Sequence, residues 1–342
     1  MQKILLTLLL VVNLWAIESY NYINKNYIFT SEKDLKNIYS SLISPYYYRV
    51  RLHYFLSYDN LKIAYKIFKV KNSKANIVIS SGRTEGMVKY QELIYDLNKN
   101  GYSVYILDHR GQGNSERLLS DTQIGHVDSF DDYVKDLHKF VEIYLPKNRK
   151  RVLLGHSMGG AIASLYAETY PKDFNALILS SPMHQPELVA KSLTSFMCDL
   201  VEKREHNIDR YIIGEKSYDD DYTPFSENIL THSEIRYKIA NLAFNKEPST
   251  KVGGPSVRWV AEACRYSEKS VADAYKIKIP TLLLQAQDDK VVNKKPQNIF
   301  CRRIGTLCKE YQIDGAYHEL FIEKDTIRER VLTAILDFIA KI

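Results

Sequence analysis

One short segment of this 342-residue chain constrains its fold more than any other. An apolar run at 151–154 leads directly into Gly155-His156-Ser157-Met158-Gly159, and small apolar residues follow. This order predicts a strand, a sharp turn and a helix, and the residues two positions from the serine must be small because strand and helix approach closely there. Ser157 is therefore expected at the carboxyl end of a strand, where a helix amino terminus favours developing negative charge.

The rest of the chain alternates between strand and helix patterns. Helical periodicity runs from Phe130 to about Pro146, from Met158 to Tyr170 and from Asp325 to the end of the chain. Such alternation predicts an α/β fold, with a mostly parallel eight-stranded sheet that helices cover on both faces. The predicted strands are the apolar, β-branched runs at 47–56, 61–70, 75–80, 102–108, 151–155, 176–180, 281–286 and 309–313.

Residues 183–275 interrupt this alternation. The segment is long, charged and mostly helical in pattern, and it contains the turn Gly253-Gly254-Pro255. An insertion at the carboxyl edge of a parallel sheet overhangs the site that open α/β sheets place there. We therefore predict a helical cap at 183–275, between two parts of one core at 45–182 and 276–342.

The amino terminus has the pattern of an export signal. Lys3 precedes a short apolar run at 4–16, which is shorter than the roughly 20 residues that span a bilayer. Residues 1–19 are expected to be a signal peptide or an uncleaved anchor, so the protein is expected to be exported (periplasmic or secreted) or membrane-anchored. A buried first element is the alternative.

The four cysteines have no spacing typical of a metal site. An exported chain with an even number of cysteines permits disulfides. Cys301 and Cys308 lie close in sequence, and Cys198 and Cys264 fall in one region, which suggests these two pairs. Four free thiols are the alternative.

The net charge of the chain excludes few classes of function. A formal charge of +6 mildly favours anionic surfaces such as membranes, but Lys and Arg are scattered and no nucleic-acid-binding motif is present. No His or Cys cluster has metal-ligand spacing, and Gly111-Gln112-Gly113 lacks the third glycine of a dinucleotide fingerprint. The sequence therefore predicts no metal, no cofactor and no nucleic-acid partner.

A serine hydroxyl needs a base, and the base needs an orienting carboxylate. Of the nine histidines, five precede Ser157 and three lie in the insertion, whereas His318 follows the last predicted strand. Because the acid comes between serine and histidine in this chain order, it should follow the strand at 281–286, where Asp288 and Asp289 are both candidates. We favour Asp289, which leads into Lys290-Val291-Val292, and expect Asp288 to be a solvent-exposed neighbour.

Backbone N–H groups must also stabilise the developing oxyanion. One is expected from Met158, directly after the nucleophile, and the other from the main chain of Arg83, in the loop after the third strand. That loop begins Ser81-Gly82 where a His-Gly pair is common, a change that a backbone donor tolerates. A surface turn is the alternative for Arg83.

Several motifs resemble the bacterial lysophospholipase branch of the monoacylglycerol-lipase-like α/β hydrolases, over about 50–340. The more discriminating ones lie in the predicted cap. They are Leu230-Thr231-His232-Ser233 with Arg236-Tyr237, and Gly253-Gly254-Pro255 with Trp259-Val260 and Glu262; the others are Gly82-Arg83-Thr84-Glu85 with Lys89-Tyr90, Asp108-His109-Arg110-Gly111-Gln112-Gly113-Asn114-Ser115, Gly155-His156-Ser157-Met158-Gly159-Gly160 and Gly315-Ala316-Tyr317-His318-Glu319.

This resemblance implies the α/β-hydrolase fold and hydrolysis of one acyl ester of a single-chain, membrane-derived lipid, without a cofactor. Arg258 and Trp259 are the expected substrate contacts in the cap, and Arg258 and Arg265 could face a phosphate headgroup. The alternatives are a monoacylglycerol lipase or carboxylesterase, acyl transfer on the same residues, or a non-catalytic lipid-binding protein.

Overall fold

A computed structural model describes residues 27–187, 198, 209–218 and 223–342 of the chain. The predicted signal or anchor segment at 1–19 lies outside these residues, as do parts of the predicted cap. Within the described residues, no helix combines the length and the apolar character needed to cross a membrane.

The described residues form a single eight-stranded sheet in the order β1-β2-β4-β3-β5-β6-β7-β8. The pairs β1–β2 and β2–β4 are antiparallel, and the other five pairs are parallel. The mostly parallel sheet predicted from the sequence is therefore present. The strands are β1 His53–Leu56, β2 Lys62–Phe68, β3 Asn76–Ser80, β4 Ser103–Leu107, β5 Arg151–His156, β6 Ala176–Ser180, β7 Thr281–Ala286 and β8 Cys308–Ile313.

Helices cover both faces of the sheet, because side chains alternate between faces along each strand. The described helices are α1 Glu32–Ile38, α2 Ser44–Tyr48, α3 Gln91–Lys99, α4 Phe130–Tyr144, α5 Met158–Thr169, α6 Glu234–Lys246, α7 Val257–Asp273, α8 Lys294–Ile304 and α9 Asp325–Lys341, and a π-helical turn, Tyr39–Ile43, joins α1 to α2. Val78 and Leu153 pack on the face covered by α4, α5, α7 and α8, while Ile77 and Leu154 pack on the face covered by α3 and α9.

The first predicted strand, 47–56, is wrong in its first half. Tyr47 belongs to α2, which has Pro45 in its first turn, and β1 begins only at His53. The aromatic run favours a strand, but in the structure the Tyr47 ring is fully buried against Phe68, with 5.7 Å between ring centroids. Tertiary packing therefore decided the conformation, as it often does for aromatic residues.

The core also begins earlier than the predicted boundary at residue 45. The Tyr27 hydroxyl donates to Asp337 Oδ1 at 2.9 Å, and Thr30 donates to Asp96 Oδ1 from its hydroxyl at 2.7 Å and from its amide at 3.0 Å. The described amino-terminal segment is thus tied to α3 and α9.

The described helices of the insertion, α6 and α7, are fixed firmly to the core. A serine caps each of them: Ser233 accepts from the Arg236 amide, and Ser256 accepts from the Trp259 amide at 3.0 Å. The fully buried Arg236 side chain binds Glu92 on α3, with 3.0 Å between Nε and Oε2, and the Glu323 carbonyl at 2.7 Å. This part of the insertion is therefore an integral layer of the molecule.

Both predicted disulfides are present. Cys198–Cys264 joins part of the insertion to α7, and Cys301–Cys308 joins α8 to the start of β8. The alternative of four free thiols is therefore wrong.

Candidate active site

Ser157 lies on a strained turn between β5 and α5. Its backbone has φ 53° and ψ −120°, which only a tightly constrained non-glycine residue adopts. The two motif glycines make this turn possible, because a Cβ at Gly159 would overlap the Ser80 carbonyl and one at Gly155 would lie 2.5 Å from the Gly159 oxygen. The Ser157 amide donates to the Ser180 carbonyl at 3.1 Å, which fixes the turn against β6.

Three residues predicted from the sequence lie in one hydrogen-bonded chain. His318 Nε2 is 2.9 Å from Ser157 Oγ, and His318 Nδ1 is 2.8 Å from Asp289 Oδ2. An ionised carboxylate can only accept, so Nδ1 carries the proton and Nε2 is left to accept the serine hydroxyl. The three residues follow β5, β7 and β8, whose carboxyl ends meet at one edge of the sheet.

The structure distinguishes the two candidate acids. The second oxygen of Asp289 accepts from the amides of Val291 at 2.8 Å and Val292 at 3.1 Å. Burial opposes ionisation of Asp289, but the neighbouring His318 and these hydrogen bonds outweigh it and lower the pKa of its carboxyl. Asp288 is exposed, and its backbone amide donates to the Ala316 carbonyl at 2.9 Å.

The two predicted oxyanion donors are available. Ser80, at the end of β3, is in register with Gly155 on β5, so the loop after β3 runs beside the Ser157 turn. In that loop the Gly82 amide donates to Glu85 at 2.6 Å and the Thr84 amide to Gln112 at 3.2 Å. The Arg83 amide between them has no acceptor among the described residues, and neither has the amide of Met158.

The Arg83 side chain connects this loop to the insertion. Its Nη1 donates to the Gly253 carbonyl at 3.2 Å, and its guanidinium lies 5.4 Å from the centre of the Trp259 ring. Trp259 is only 5% exposed, and its Nε1 donates to the Tyr133 hydroxyl at 3.2 Å. Trp259 thus supports the Arg83 loop, and its role as a substrate contact stays a prediction.

The two cap arginines differ in their surroundings. Arg265 is 56% exposed and forms an ion pair with Glu262, one turn away on α7. Arg258 is half-buried, and its Nε has no partner among the described residues. Arg258 is therefore the better candidate for an anionic group of a substrate.

The insertion also contacts the loop that carries His318. The Glu319 amide donates to the Leu230 carbonyl at 2.9 Å, and the Thr231 hydroxyl donates to the Ile322 carbonyl at 2.6 Å. The two cap motifs therefore touch different parts of the site, one beside His318 and the other at the Arg83 loop.

Sequence reasoning missed a buried group of charged side chains behind Ser157 and His318, which we call the site cluster. Glu319 Oε2 lies 3.2 Å from His156 Nε2, and Glu319 Oε1 lies 2.6 Å from Lys89 Nζ. Lys89 also pairs with Glu85, and all four side chains are at most 10% exposed. The site cluster consists of His156, Glu319, Lys89 and Glu85.

The charges in the site cluster reinforce one another. Burial opposes the charged form of each group, but Lys89 and His156 together outweigh it and hold the pKa of the Glu319 carboxyl well below its usual range. Glu319 and Glu85 likewise overcome burial and raise the pKa of the His156 ring. A signal was available in the sequence, because all four residues stand inside motifs that flank Ser157, Arg83 or His318.

Three members of the site cluster lie close enough together to hold a metal ion, namely Glu85, His156 and Glu319. The Lys89 ammonium already contacts an oxygen of each carboxylate. A further cation would be repelled by Lys89, so these residues fit a metal poorly.

A family model and two similar proteins point to the same family. Residues 71–325 match the model of the Hydrolase_4 family, described as serine aminopeptidase, S33. The chain is 38% identical to lysophospholipase L2 of Escherichia coli K12, over 83% of this chain and 86% of that protein. It is 32% identical to the probable lysophospholipase L2 of Haemophilus influenzae, over 86% of this chain and 94% of that protein.

A solved structure supports the fold. A soluble variant of the monoglyceride lipase from Saccharomyces cerevisiae aligns with a TM-score of 0.66 at 20% identity, over 85% of this chain and 95% of that chain. The α/β-hydrolase fold predicted from the sequence is therefore confirmed.

Proposed function

The chain belongs to the Hydrolase_4 family of serine hydrolases, and we propose that it is a lysophospholipase that removes the single acyl chain of a lysophospholipid through an acyl-enzyme at Ser157. The observation that carries the chemistry is the unbroken chain from Ser157 Oγ through His318 to Asp289, with contacts of 2.9 and 2.8 Å. The lysophospholipid substrate is supported by the two lysophospholipase L2 relatives.

In the proposed mechanism, His318 Nε2 takes the Ser157 proton while Oγ attacks the ester carbonyl. The amides of Arg83 and Met158 stabilise the resulting oxyanion, and Asp289 holds the protonated imidazole in orientation. His318 then gives the proton to the departing alcohol, and the ester bond breaks. Water, deprotonated by His318, attacks the acyl-enzyme and releases the fatty acid, which restores Ser157.

The headgroup contact is proposed to come from the insertion. Arg258 offers a guanidinium with a buried, unpartnered Nε among the described residues, and a guanidinium binds phosphate through paired N–H donors. Arg258→Ala should lower kcat/KM for lysophosphatidylcholine about 10-fold and leave monoacylglycerol hydrolysis within 2-fold of wild type. Equal losses on both substrates would remove the phosphate contact from the proposal.

The pattern at the amino terminus supports a proposal about cellular location. We propose that residues 1–19 export the chain or anchor it, which would bring the enzyme to a lipid surface. Cell fractionation of the full-length chain, followed by amino-terminal sequencing, checks this. A protein that retains Met1 and remains in the cytosol contradicts it.

The central experiment combines Ser157→Ala with a substrate panel. The variant should lose about 10⁵–10⁶-fold in kcat and should no longer react with a fluorophosphonate probe, because among the described residues no other hydroxyl is hydrogen-bonded to His318 Nε2. On wild-type protein, lysophosphatidylcholine should give a higher kcat/KM than monoacylglycerol or p-nitrophenyl butyrate. A preference for monoacylglycerol would correct the substrate but keep the mechanism, whereas undiminished hydrolysis by Ser157→Ala would refute the mechanism.

A further inference from the structure

Two residues of the site cluster adjoin the groups that are proposed to react. His156 immediately precedes Ser157, and Glu319 immediately follows His318. The rings of His156 and His318 lie 5.0 Å apart between centroids, at an angle of 47°. A change in the charge or position of His156 therefore acts directly on the base.

The contacts of His156, a hydrogen bond at Nδ1 and two carboxylates near Nε2, indicate that both ring nitrogens carry protons. Nδ1 is 3.1 Å from the Ser180 carbonyl oxygen, which can only accept, and the Ser180 hydroxyl is farther away at 3.3 Å. Nε2 is buried and has no hydrogen bond of good geometry among the described residues, but it lies 3.2 Å from the Glu319 carboxylate and 3.9 Å from the Glu85 carboxylate. A neutral Nε2 would place its lone pair beside two negative groups, whereas a proton there turns repulsion into attraction.

With His156 protonated, the site cluster becomes a chain of alternating charges. It runs from His156 to Glu319, from Glu319 to Lys89 and from Lys89 to Glu85. The chain ends on the Arg83 loop, because Glu85 Oε2 accepts from the Gly82 amide at 2.6 Å and from the Tyr90 hydroxyl at 2.5 Å. Two positive and two negative groups balance, which lets all four remain ionised away from water.

We propose that His156 is a protonated positioning residue of this enzyme. The chain His156–Glu319–Lys89–Glu85 holds the loop that carries His318, which we call the base loop, and the Arg83 loop in fixed positions relative to Ser157. The groups that face His156 are Glu319 and His318 from the base loop and Glu85 and Lys89 from the segment after β3. Burial and Lys89 lower the pKa of the His156 ring, but the two carboxylates outweigh them and raise it above its usual value. The inference rests on the proposed ester hydrolysis at Ser157.

The first test is spectroscopic and needs no activity. Histidine labelled with ¹⁵N in the ring distinguishes an imidazolium from either neutral tautomer. The His156 signal can be assigned by its contacts with the Phe321 ring, whose centroid lies 5.7 Å away. Wild-type protein should show His156 doubly protonated at pH 7, and Glu319→Gln should lose the second proton at that pH. A neutral His156 in wild-type protein overturns the proposal.

The second test separates positioning from simple folding. Lys89→Met and Glu319→Gln should each lower kcat for p-nitrophenyl butyrate about 10–100-fold, with KM within about 3-fold of wild type, because loops displaced by a fraction of an ångström still bind the ester. Lys89→Arg keeps the charge and should recover most of the loss. The double variant should be no worse than the poorer single variant, because breaking one chain twice adds nothing.

Lys66→Met is the matched control, since Lys66 is a buried lysine on β2 whose ammonium lies over the Tyr47 ring at 3.8 Å, away from the site cluster. It should leave kcat within 2-fold of wild type. The positioning role is overturned if the single variants of the site cluster keep wild-type kcat. It is also overturned if Lys66→Met loses as much kcat as they do. If the protein does not hydrolyse lysophospholipids, the proposed substrate is refuted, but the butyrate assay still tests the positioning role. If it hydrolyses no ester at all, the proposed function is refuted, and the ¹⁵N spectrum still decides the charge of His156.

Discussion

Two groups of buried charges lie near the start of α3, and they differ in the kind of cation. The site cluster uses a lysine and a histidine, behind the reacting groups. The second group, which we call the anchor cluster, uses two arginines that are at most 1% exposed and joins the insertion, α3 and the start of α9. The anchor cluster consists of Arg236, Arg328, Glu92, Asp96 and Asp325.

The difference lies in what each cation can do. Arginine stays charged at every accessible pH and binds carboxylates through a rigid fork, as Arg328 does with Asp96 at 2.7 Å. Histidine can lose its proton, so His156 keeps its charge only while its carboxylate neighbours remain in place. Buried charge therefore serves stability in the anchor cluster and the chemistry in the site cluster.

The largest effect on kcat is expected at the acid beside His318, which lies outside both clusters and gives the upper limit against which the site cluster can be compared. Asp289→Asn should lower kcat about 10⁴-fold, because an amide can no longer hold His318 as the Nδ1–H tautomer. The unfolding temperature should stay close to that of wild type. Steady-state kinetics and thermal unfolding measure the two effects. Asp288→Asn, at the exposed neighbour, is the control and should keep wild-type kcat; the reverse outcome would exchange the two aspartates.

Removing one of the two arginines of the anchor cluster should affect stability instead. Arg236→Met leaves Glu92 without one of its cations and also removes the 2.7 Å contact with Asp325. Because breaking a buried ion pair costs about 3–5 kcal/mol, the free energy of unfolding should fall by about that amount. Denaturant unfolding measures the loss, and kcat of the folded fraction should remain near wild type. Lys238→Met on the same helix removes an exposed pair with Glu234 and should cost less than about 1 kcal/mol. Equal losses of unfolding free energy in Arg236→Met and Lys238→Met would contradict a stabilising role of the anchor cluster.

A buried carboxyl that forms no salt bridge among the described residues extends the comparison. Glu168, at the end of α5, has a buried Oε1 with no partner among the described residues, and burial, with the nearby Asp273, raises the pKa of Glu168 to about 9. The unfolded chain releases this proton near its ordinary pKa, whereas the folded protein keeps it. Stability therefore falls as pH rises from about 4.5 towards 9.

Glu168→Gln removes this penalty. Its stability advantage over wild type should grow from pH 5 to pH 9 and reach several kcal/mol, since a difference of one pKa unit between folded and unfolded protein corresponds to about 1.4 kcal/mol. Unfolding temperatures measured across that pH range give the result. Glu329→Gln, at an exposed position on α9, should show no such growth. A constant difference between Glu168→Gln and wild type would mean that Glu168 ionises normally.

The smallest effect is expected where charge is exposed. Arg265→Ala breaks an ion pair with Glu262 in which the arginine is 56% exposed, so stability should change by less than about 1 kcal/mol. Activity on lysophosphatidylcholine should stay within about 2-fold of wild type. A larger loss on this substrate alone would make Arg265 a headgroup contact, and thermal unfolding with kinetics distinguishes the outcomes.

Local spacing let the sequence predict much of this molecule. The small residues around Ser157, the alternation of strands and helices, and the chain order of Ser157, Asp289 and His318 depend on near neighbours or on the order of elements. Both disulfide pairs also followed from their positions in the chain. The predictions at 1–19 lie outside the described residues and stay predictions.

Only the tertiary structure decided the rest. Tyr47 is helical because its ring packs on Phe68, which aromatic content alone did not reveal. The pairing of Lys89 with Glu319 joins segments far apart in the chain and depends on the register of parallel strands that the sequence does not specify. Motif spacing placed Ser157 on its turn, but the burial of opposite charges from distant segments determines what surrounds it.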